Sequence, residues 1–240
     1  MLNVLKVERY KMRKFTPFYV CMIVLVILIV SMVFKGLKQE VIDYCGYSCM
    51  HDGFVDSVQD CSFAFLFGML ISWYVGIDFT NRTIHRHIVT GVKRWKIVIS
   101  EILATSVLTT IFHLTLVTGT VIQYGKFFGF TTEGFGISDL AWLGTILLQF
   151  AAYNSFFVLV AFLCENVYAS TIIGVVVSSI GGNILRNFLI GNYIYEHSFF
   201  CFAKSPSSSD LIPCVICAII SIAVLFGITV IVFNKRDISS

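Results

Sequence analysis

Residues 15–34 read FTPFYVCMIVLVILIVSMVF, which is 20 consecutive residues without Lys, Arg, Asp or Glu. A helix of about 20 apolar residues crosses the ~30 Å hydrocarbon core of a bilayer, so this stretch predicts a membrane-spanning helix. It is longer than the apolar segment of a cleaved signal peptide, which has about 7–15 residues, and no small-residue cleavage site follows it. We therefore interpret the stretch as a retained first span.

The whole chain has the composition of a polytopic membrane protein. Apolar residues make up 57% of its 240 residues and charged residues only 13%, and the mean hydropathy is +0.86. Soluble domains carry about 25% charged residues, and a globule of this size could not bury so much apolar surface. The same numbers exclude disordered, collagen-like, coiled-coil and small disulfide-rich proteins.

Five further stretches of low charge complete a prediction of six spans within a single transmembrane domain, residues 1–240. The expected fold class is therefore an all-α membrane protein. The second stretch is short, so we expect its helix to begin near Val55 and to place Asp60 at the water interface. The predicted spans cover residues 15–34, 58–77, 98–122, 140–164, 167–185 and 211–233.

The basic residues predict the orientation of these spans. Residues 1–14 and 78–96 hold five Lys or Arg each and the C-terminal tail holds two, whereas the loops on the other side hold five in all. Because Lys and Arg accumulate in cytoplasmic loops, both termini are expected to be cytoplasmic. Apolar and basic residues interleave over residues 1–14, which predicts an interfacial helix lying on the lipid bilayer.

The cytoplasmic loop 78–96 predicts a short amphipathic helix. Thr80 or Asn81 can cap its start, and Gly91 can end it in a left-handed conformation. Ile84 and Ile88 share one face, while basic and imidazole side chains occupy the others. Such an element either rests on lipid headgroups or docks on a partner.

Three polar residues inside predicted spans are candidates for an intramembrane site, because ionisable groups there are often functional. Glu101 lies one turn inside the third span and is expected to reach the cytoplasmic interface or to pair with a cation such as Arg94 or Lys96. His113 lies in the middle of the same span, and a neutral histidine bonded to another helix is the plainer alternative. Asn154 lies in the fourth span.

Other chemistries find little support in the sequence. It contains neither a phosphate-binding G-x-x-x-x-G-K-[S/T] loop nor the zinc motif H-E-x-x-H. His85 and His87 lack a third ligand and lie among arginines, so we expect no metal. Cys45 and Cys49 on the outer side could form a disulfide or remain thiols.

Small residues recur every four positions in the fifth predicted span, at Gly174, Ser178 and Gly182. Such spacing lets helix backbones approach closely. The stripe predicts either tight packing within one subunit or a contact with a second subunit.

Residues 78–84, DFTNRTI, and 90–97, TGVKRWKI, resemble the loop between spans two and three of type-2 ATP-binding-cassette (ABC) transporter permeases. Glu8 and Lys11 resemble that family's connecting helix, and residues 233–238, FNKRDI, resemble its usual ending. Length and six-span topology agree, so the resemblance covers the whole chain. Glu101 departs from the family, which often has lysine there.

The resemblance implies a transport subunit without ATPase activity or a cofactor of its own, because ATP is bound by a separate cytoplasmic subunit. The helix contacting that subunit would carry its contacts on Arg82, Ile84, Arg86, Ile88 and Thr90. A second permease copy or a paralogue and a re-entrant outer segment after span five, at residues 187–202, are further expectations. Small members of this family export antimicrobial peptides or drugs and confer lantibiotic immunity on bacteria, which implies a bacterial plasma membrane location. No nucleic-acid partner is expected.

The outer loops carry nine acidic residues against five basic ones. An acidic outer surface would attract cationic amphipathic molecules, and salt would weaken this attraction. A cationic amphipathic peptide or drug is therefore the expected substrate.

Two alternatives from other classes remain. One is an intramembrane enzyme that uses His113 with Gln149 or Asn154. The other is a membrane anchor or sensor that transports nothing.

Overall fold

The computed structural model describes residues 2–36, 47–60, 63–181, 192–204 and 208–235. Within these ranges the chain forms helices and no strand, as the sequence predicts. The helices are α1 (Leu2–Lys14), α2 (Thr16–Lys35), α3 (Met50–Gln59), α4 (Ala64–Thr80), α5 (Thr83–Val89), α6 (Arg94–Phe128), α7 (Ile137–Cys164), α8 (Val167–Val176), α9 (Tyr193–Glu196) and α10 (Ser208–Lys235). A π-helical turn, Val177–Gly181, continues α8.

Among the described residues, four helices are long and apolar enough to cross a membrane, namely α2, α6, α7 and residues Asp210–Lys235 of α10. They correspond to the first, third, fourth and sixth predicted spans. The apolar helices at the second and fifth positions, α4 and α8, are shorter. The chain is thus a helical protein with several candidate membrane spans.

The start of the second predicted span differs from expectation. Val55 lies in α3, a separate helix that ends at Gln59, and α4 begins only at Ala64. Helix α3 is held by its packing on the far end of α6, where Phe54 and Val58 are buried. Its apolar residues therefore belong to a short surface helix and do not extend α4.

Helix α7 lies at the centre of the bundle and packs against α10, α4, α6 and α8. In its most apolar stretch 72% of residues are buried, against 11% for α2 and α10. The buried residues of this stretch include the large side chains of Phe150, Phe157 and Phe162. Helices α2 and α10 therefore present most of their apolar surface outward, as expected of helices in contact with lipid.

Helix α6 links the two ends of the bundle. It has 35 residues, which at 1.5 Å per residue make it about 52 Å long. Its first turns pack against α1 and its last turns against α3. Features at its two ends are consequently separated by more than the thickness of a hydrocarbon core.

Candidate functional site

A lysine lies among three buried carboxyl groups where α1, α4 and α6 meet. Glu8 and Lys11 are three residues apart on α1, Asp78 is near the end of α4, and Glu101 is in the second turn of α6. Lys11 Nζ lies 3.1 Å from both carboxylate oxygens of Glu101 and 3.6 Å from Glu8 Oε2, and it also bonds Asp78 Oδ2. We call these four residues the Lys11 cluster.

Tyr74 completes the surroundings of the cluster. Its hydroxyl donates a hydrogen bond of 2.8 Å to Glu8 Oε2. Lys11 Nζ lies 3.6 Å from the centroid of the Tyr74 ring, within the range of a cation–π interaction. The ring itself packs edge-on against Phe15, so its position is fixed by the start of α2.

The cluster is buried and holds more acids than bases. Glu101 is only 1% exposed, and Glu8 and Asp78 are 4% exposed. One oxygen of each carboxyl group lies within 4.8 Å of the others. Such spacing would suit a metal ion, but the Lys11 ammonium contacts all three and fills the cation position.

The pKa values of Glu8 and Lys11 in α1 reflect both burial and the neighbouring charges. Burial raises the pKa of the Glu8 carboxyl and Asp78 adds to the rise, while Lys11, Tyr74 and His87 oppose it. Burial alone would lower the pKa of the Lys11 ammonium. The carboxylates of Glu101, Asp78 and Glu8 more than reverse this effect, so the pKa of Lys11 is raised. Lys11 therefore stays charged.

Two members of the Lys11 cluster flank α5 in the sequence. Asp78 precedes this helix by five residues and Glu101 follows it by twelve. Ile84 of α5 is 3% exposed and belongs to the apolar core, and His87 acts on Glu8 electrostatically. A displacement of α5 would therefore change the surroundings of the cluster through the adjoining chain and through the charge of His87.

The local structure of α5 confirms part of the prediction. A helix forms at Thr83–Val89, and Gly91 follows it with a φ of 78°. The predicted cap is wrong, because the residue before the helix is Arg82, which adopts a φ of 55° and makes no side-chain cap. Asn81 instead ends α4.

The orientation of α5 corrects the expectation that Ile84 and Ile88 face a partner. Ile84 is buried and Ile88 packs partly against the same core, because the apolar face of a short helix gains most by turning toward its own protein. Arg82, Arg86 and Thr90 are exposed, as is Val89 at 84%. Three of the five predicted contact residues are therefore accessible.

Glu101 pairs with a cation, as one of the two expectations had it, but the cation is neither Arg94 nor Lys96. Its cation is Lys11, whereas the guanidinium of Arg94 donates to the carbonyl oxygen of Phe233 in α10. Arg94 and Lys96 are close to Glu101 in the sequence, whereas Lys11 is 90 positions away from it. The resemblance of Glu8 and Lys11 to a connecting helix was the available signal, but hydropathy gave no pairing between positions 11 and 101.

The other intramembrane candidates lie apart from the Lys11 cluster. His113 is 1% exposed with its ring 5.0 Å from that of Phe150, and within the described residues its Nε2 has no hydrogen-bond partner. Asn154 donates to Thr109, one turn before His113. Gln149 donates to the Ser198 carbonyl and accepts from the Ala203 amide, so its role is to hold the segment after α9.

The small-residue stripe packs inside the chain at the two positions that are described. A Cβ on Gly174 would lie 2.5 Å from Ser72 Oγ and 2.7 Å from the Gly68 carbonyl oxygen of α4. Ser178 donates to the Phe65 carbonyl of the same helix. Gly182 lies outside the described residues, and so do Cys45, the expected partner of Cys49, and residues 187–191 of the expected re-entrant segment.

Comparisons with protein-family models, curated proteins and solved structures find no match to this chain.

Proposed function

We propose that the chain is the membrane-spanning permease subunit of an ABC transporter in a bacterial plasma membrane. A separate cytoplasmic subunit would hydrolyse ATP, and a second permease copy or paralogue would complete the pathway. The transported molecule would be an amphipathic antimicrobial peptide or drug that is expelled from the membrane. The resemblance of residues 78–97 to the permease coupling loop supports this assignment.

The observation that carries the proposal is that α5 has one face buried in the core and the other exposed. The helix has one face anchored in the core through Ile84 and an exposed face with Arg82, Arg86 and Val89. A partner docking on the exposed face could push the helix without unfolding it. Because Asp78 and Glu101 flank α5 and both bind Lys11, the push would reach α1, α4 and α6 together.

Co-purification of ATPase activity tests the proposal. The tagged chain, isolated in mild detergent from its host's membranes, should carry vanadate-sensitive ATPase activity. Val89→Asp should remove most of it, because desolvating a carboxylate against a partner costs at least about 2 kcal/mol, which weakens binding roughly thirtyfold or more.

Ile137→Asp is the matched control for this experiment. Ile137 is 87% exposed, like Val89, but lies at the start of α7. The Ile137→Asp variant should keep the activity of the unmodified chain. Absence of ATPase activity from the unmodified chain, or equal loss in both variants, would contradict the assignment of α5 as a coupling helix.

A further inference from the structure

A groove lies on the surface of the bundle between α4 and α8, at the end of the molecule that also holds α5 and the Lys11 cluster. Its lining residues come from both helices and include Trp73, Ile77, Asn81, Val167, Tyr168 and Ile172. Asn81 directly follows α4 and Val167 begins α8, whereas Trp73 lies eight residues before Asn81, about 12 Å further along the helix. The groove therefore runs from the helix ends into the apolar part of the bundle.

The floor of the groove is set by the close packing of α4 on α8. A Cβ on Gly76 would lie 2.7 Å from Val167 Cα. The hydroxyl of Ser170 donates a hydrogen bond of 3.0 Å to the Ser72 carbonyl oxygen. Because the two backbones are already in contact, the helices cannot move closer together to close the groove.

The two ends of the groove differ in polarity. Trp73, Tyr168 and Ile172 are exposed on two helices that are apolar in composition. At the helix ends, Thr80 and Asn81 bring a hydroxyl and an amide to the lining. Trp and Tyr side chains concentrate at the headgroup level of membranes. The change from apolar to polar along the groove matches the change from acyl chain to headgroup along a phospholipid.

The polar end of the groove adjoins the most basic part of the described chain. Arg82 directly follows Asn81 and is exposed. Residues 82–96 hold five Lys or Arg and no Asp or Glu, and Glu165 is the one acid between α7 and α8. This end is expected to be cytoplasmic, and the anionic lipids of the cytoplasmic leaflet attract basic residues. Charge therefore favours an anionic headgroup.

The size of the groove distinguishes an acyl chain from a protein helix. Its volume is about 390 Å³, within the range of about 300–1,000 Å³ typical of small-molecule sites. One turn of an α-helix, about 10 Å across and 5.4 Å long, occupies roughly 420 Å³, so the groove cannot hold a helix of a second subunit. An acyl chain is only one methylene group wide and can enter from the bilayer.

We propose that this groove binds one anionic phospholipid of the cytoplasmic leaflet. An acyl chain would lie against Trp73 and Ile172, and the phosphate would lie at the helix ends beside Arg82. Trp73 immediately precedes Tyr74, whose ring contacts Lys11, so the bound lipid would press on α4 next to the Lys11 cluster. The binding rests on the expected orientation of the chain and not on coupling to an ATPase.

Native mass spectrometry tests the groove with phosphatidylglycerol and phosphatidylcholine of the same acyl chains. The full chain is purified in detergent, stripped of lipid and mixed with equal amounts of the two. We expect one phosphatidylglycerol to be retained about fivefold more often than phosphatidylcholine, because one basic side chain near an anionic headgroup has an effect of this size. Equal retention of both lipids, or of neither, would overturn the proposal.

A first pair of variants locates the bound lipid. Thr171→Trp fills the groove without altering charge and should remove the lipid. Leu103→Trp, on the exposed apolar surface of α6, is the matched control and should leave the lipid in place. Unchanged lipid retention in a folded Thr171→Trp chain would overturn the proposal.

A second pair of variants tests the charge and keeps the test decisive if Thr171→Trp unfolds. Arg82→Gln changes an exposed residue and should make the retention of the two lipids equal. Arg13→Gln, which removes an exposed base of α1, should keep the preference for phosphatidylglycerol. An unchanged preference in the Arg82→Gln chain would overturn the proposal.

The same spectra report the oligomeric state and separate the groove from the transport function. A dimer that carries no lipid and that Thr171→Trp converts to a monomer would assign the groove to a second copy and overturn the proposal. Lipid retention by a chain that carries no ATPase activity would support the groove and contradict the permease assignment. ATPase coupling in a chain that retains no lipid would do the reverse.

Discussion

Lys11 Nζ lies 3.1 Å from both carboxylate oxygens of Glu101, although the two residues are 90 positions apart in the chain. The pair joins a helix expected at the membrane surface to a helix that is long and apolar enough to cross a membrane. Glu101 is 1% exposed, and such a buried charge is tolerated only when it is paired. The contact therefore fixes α1 against the bundle.

Lys11→Met should destabilise the protein by about 3 kcal/mol, because removing one partner of a buried ion pair leaves the other uncompensated. Adding Glu101→Gln to this variant should recover part of the loss. Thermal unfolding in detergent micelles, followed by circular dichroism, measures both effects. A Lys11→Met chain as stable as the unmodified one would contradict the structural role of the cluster.

Glu8→Gln should reduce the pH dependence of stability. Burial raises the pKa of Glu8 above its ordinary value of 4.5, so the folded state keeps a proton that the unfolded state releases. The resulting stability is complete below pH 4.5 and is lost as the pH rises through the folded pKa. The groups acting on Glu8 are Lys11, Tyr74, Asp78, His87 and Glu101.

Melting temperatures measured from pH 4 upward provide the comparison. The unmodified chain should lose stability with rising pH over the range in which Glu8→Gln changes less. Parallel curves for the two chains would show that Glu8 carries no extra proton in the fold.

Ile84→Ala should lower stability by about 2–4 kcal/mol, since the change empties buried space. Val89→Ala on the exposed face of the same helix should stay within about 0.5 kcal/mol. Chemical unfolding in micelles distinguishes the two. Equal effects would mean that α5 does not turn its Ile84 face inward.

Gly174→Ala should destabilise the protein by about 1–3 kcal/mol, because the added methyl group meets the backbone of α4. Gly144→Ala is the matched control within a long helix, where nothing lies within 4 Å of the added Cβ. It should be neutral or stabilising by up to about 1 kcal/mol. If both changes are neutral, α4 and α8 are not in close contact.

Alkaline phosphatase fused after residue 240 should be inactive, and a fusion within residues 126–139 should be active, because the basic residues predict cytoplasmic termini. The reverse pattern would overturn the orientation and would place the Lys11 cluster at the outer face of the membrane.

Hydropathy was sufficient to predict the all-helical class and the positions of α2, α6, α7 and α10, since long apolar stretches in a bilayer must satisfy their backbone internally. It did not separate α3 from α4, because the apolar residues of α3 lie only a few positions before the apolar stretch of α4 in the sequence. The direction in which Ile84 points depends on neighbours far along the chain. The meeting of Lys11 with Glu101 required α1, α4 and α6 to be placed in space, which no local pattern encodes.

The order in which the chain is synthesised determines when the Lys11 cluster can form. Its last member is Glu101, so the cluster can close before α7 exists. At about 5–20 residues per second, a ribosome adds the 90 residues between Lys11 and Glu101 in about 5–20 s. Until Asp78 has been synthesised, the only acidic member of the cluster available to Lys11 is Glu8 on its own helix. Once α6 is in place, the Lys11–Glu101 ion pair holds α1 against it. The first part of the protein can therefore pack together before the second part is translated.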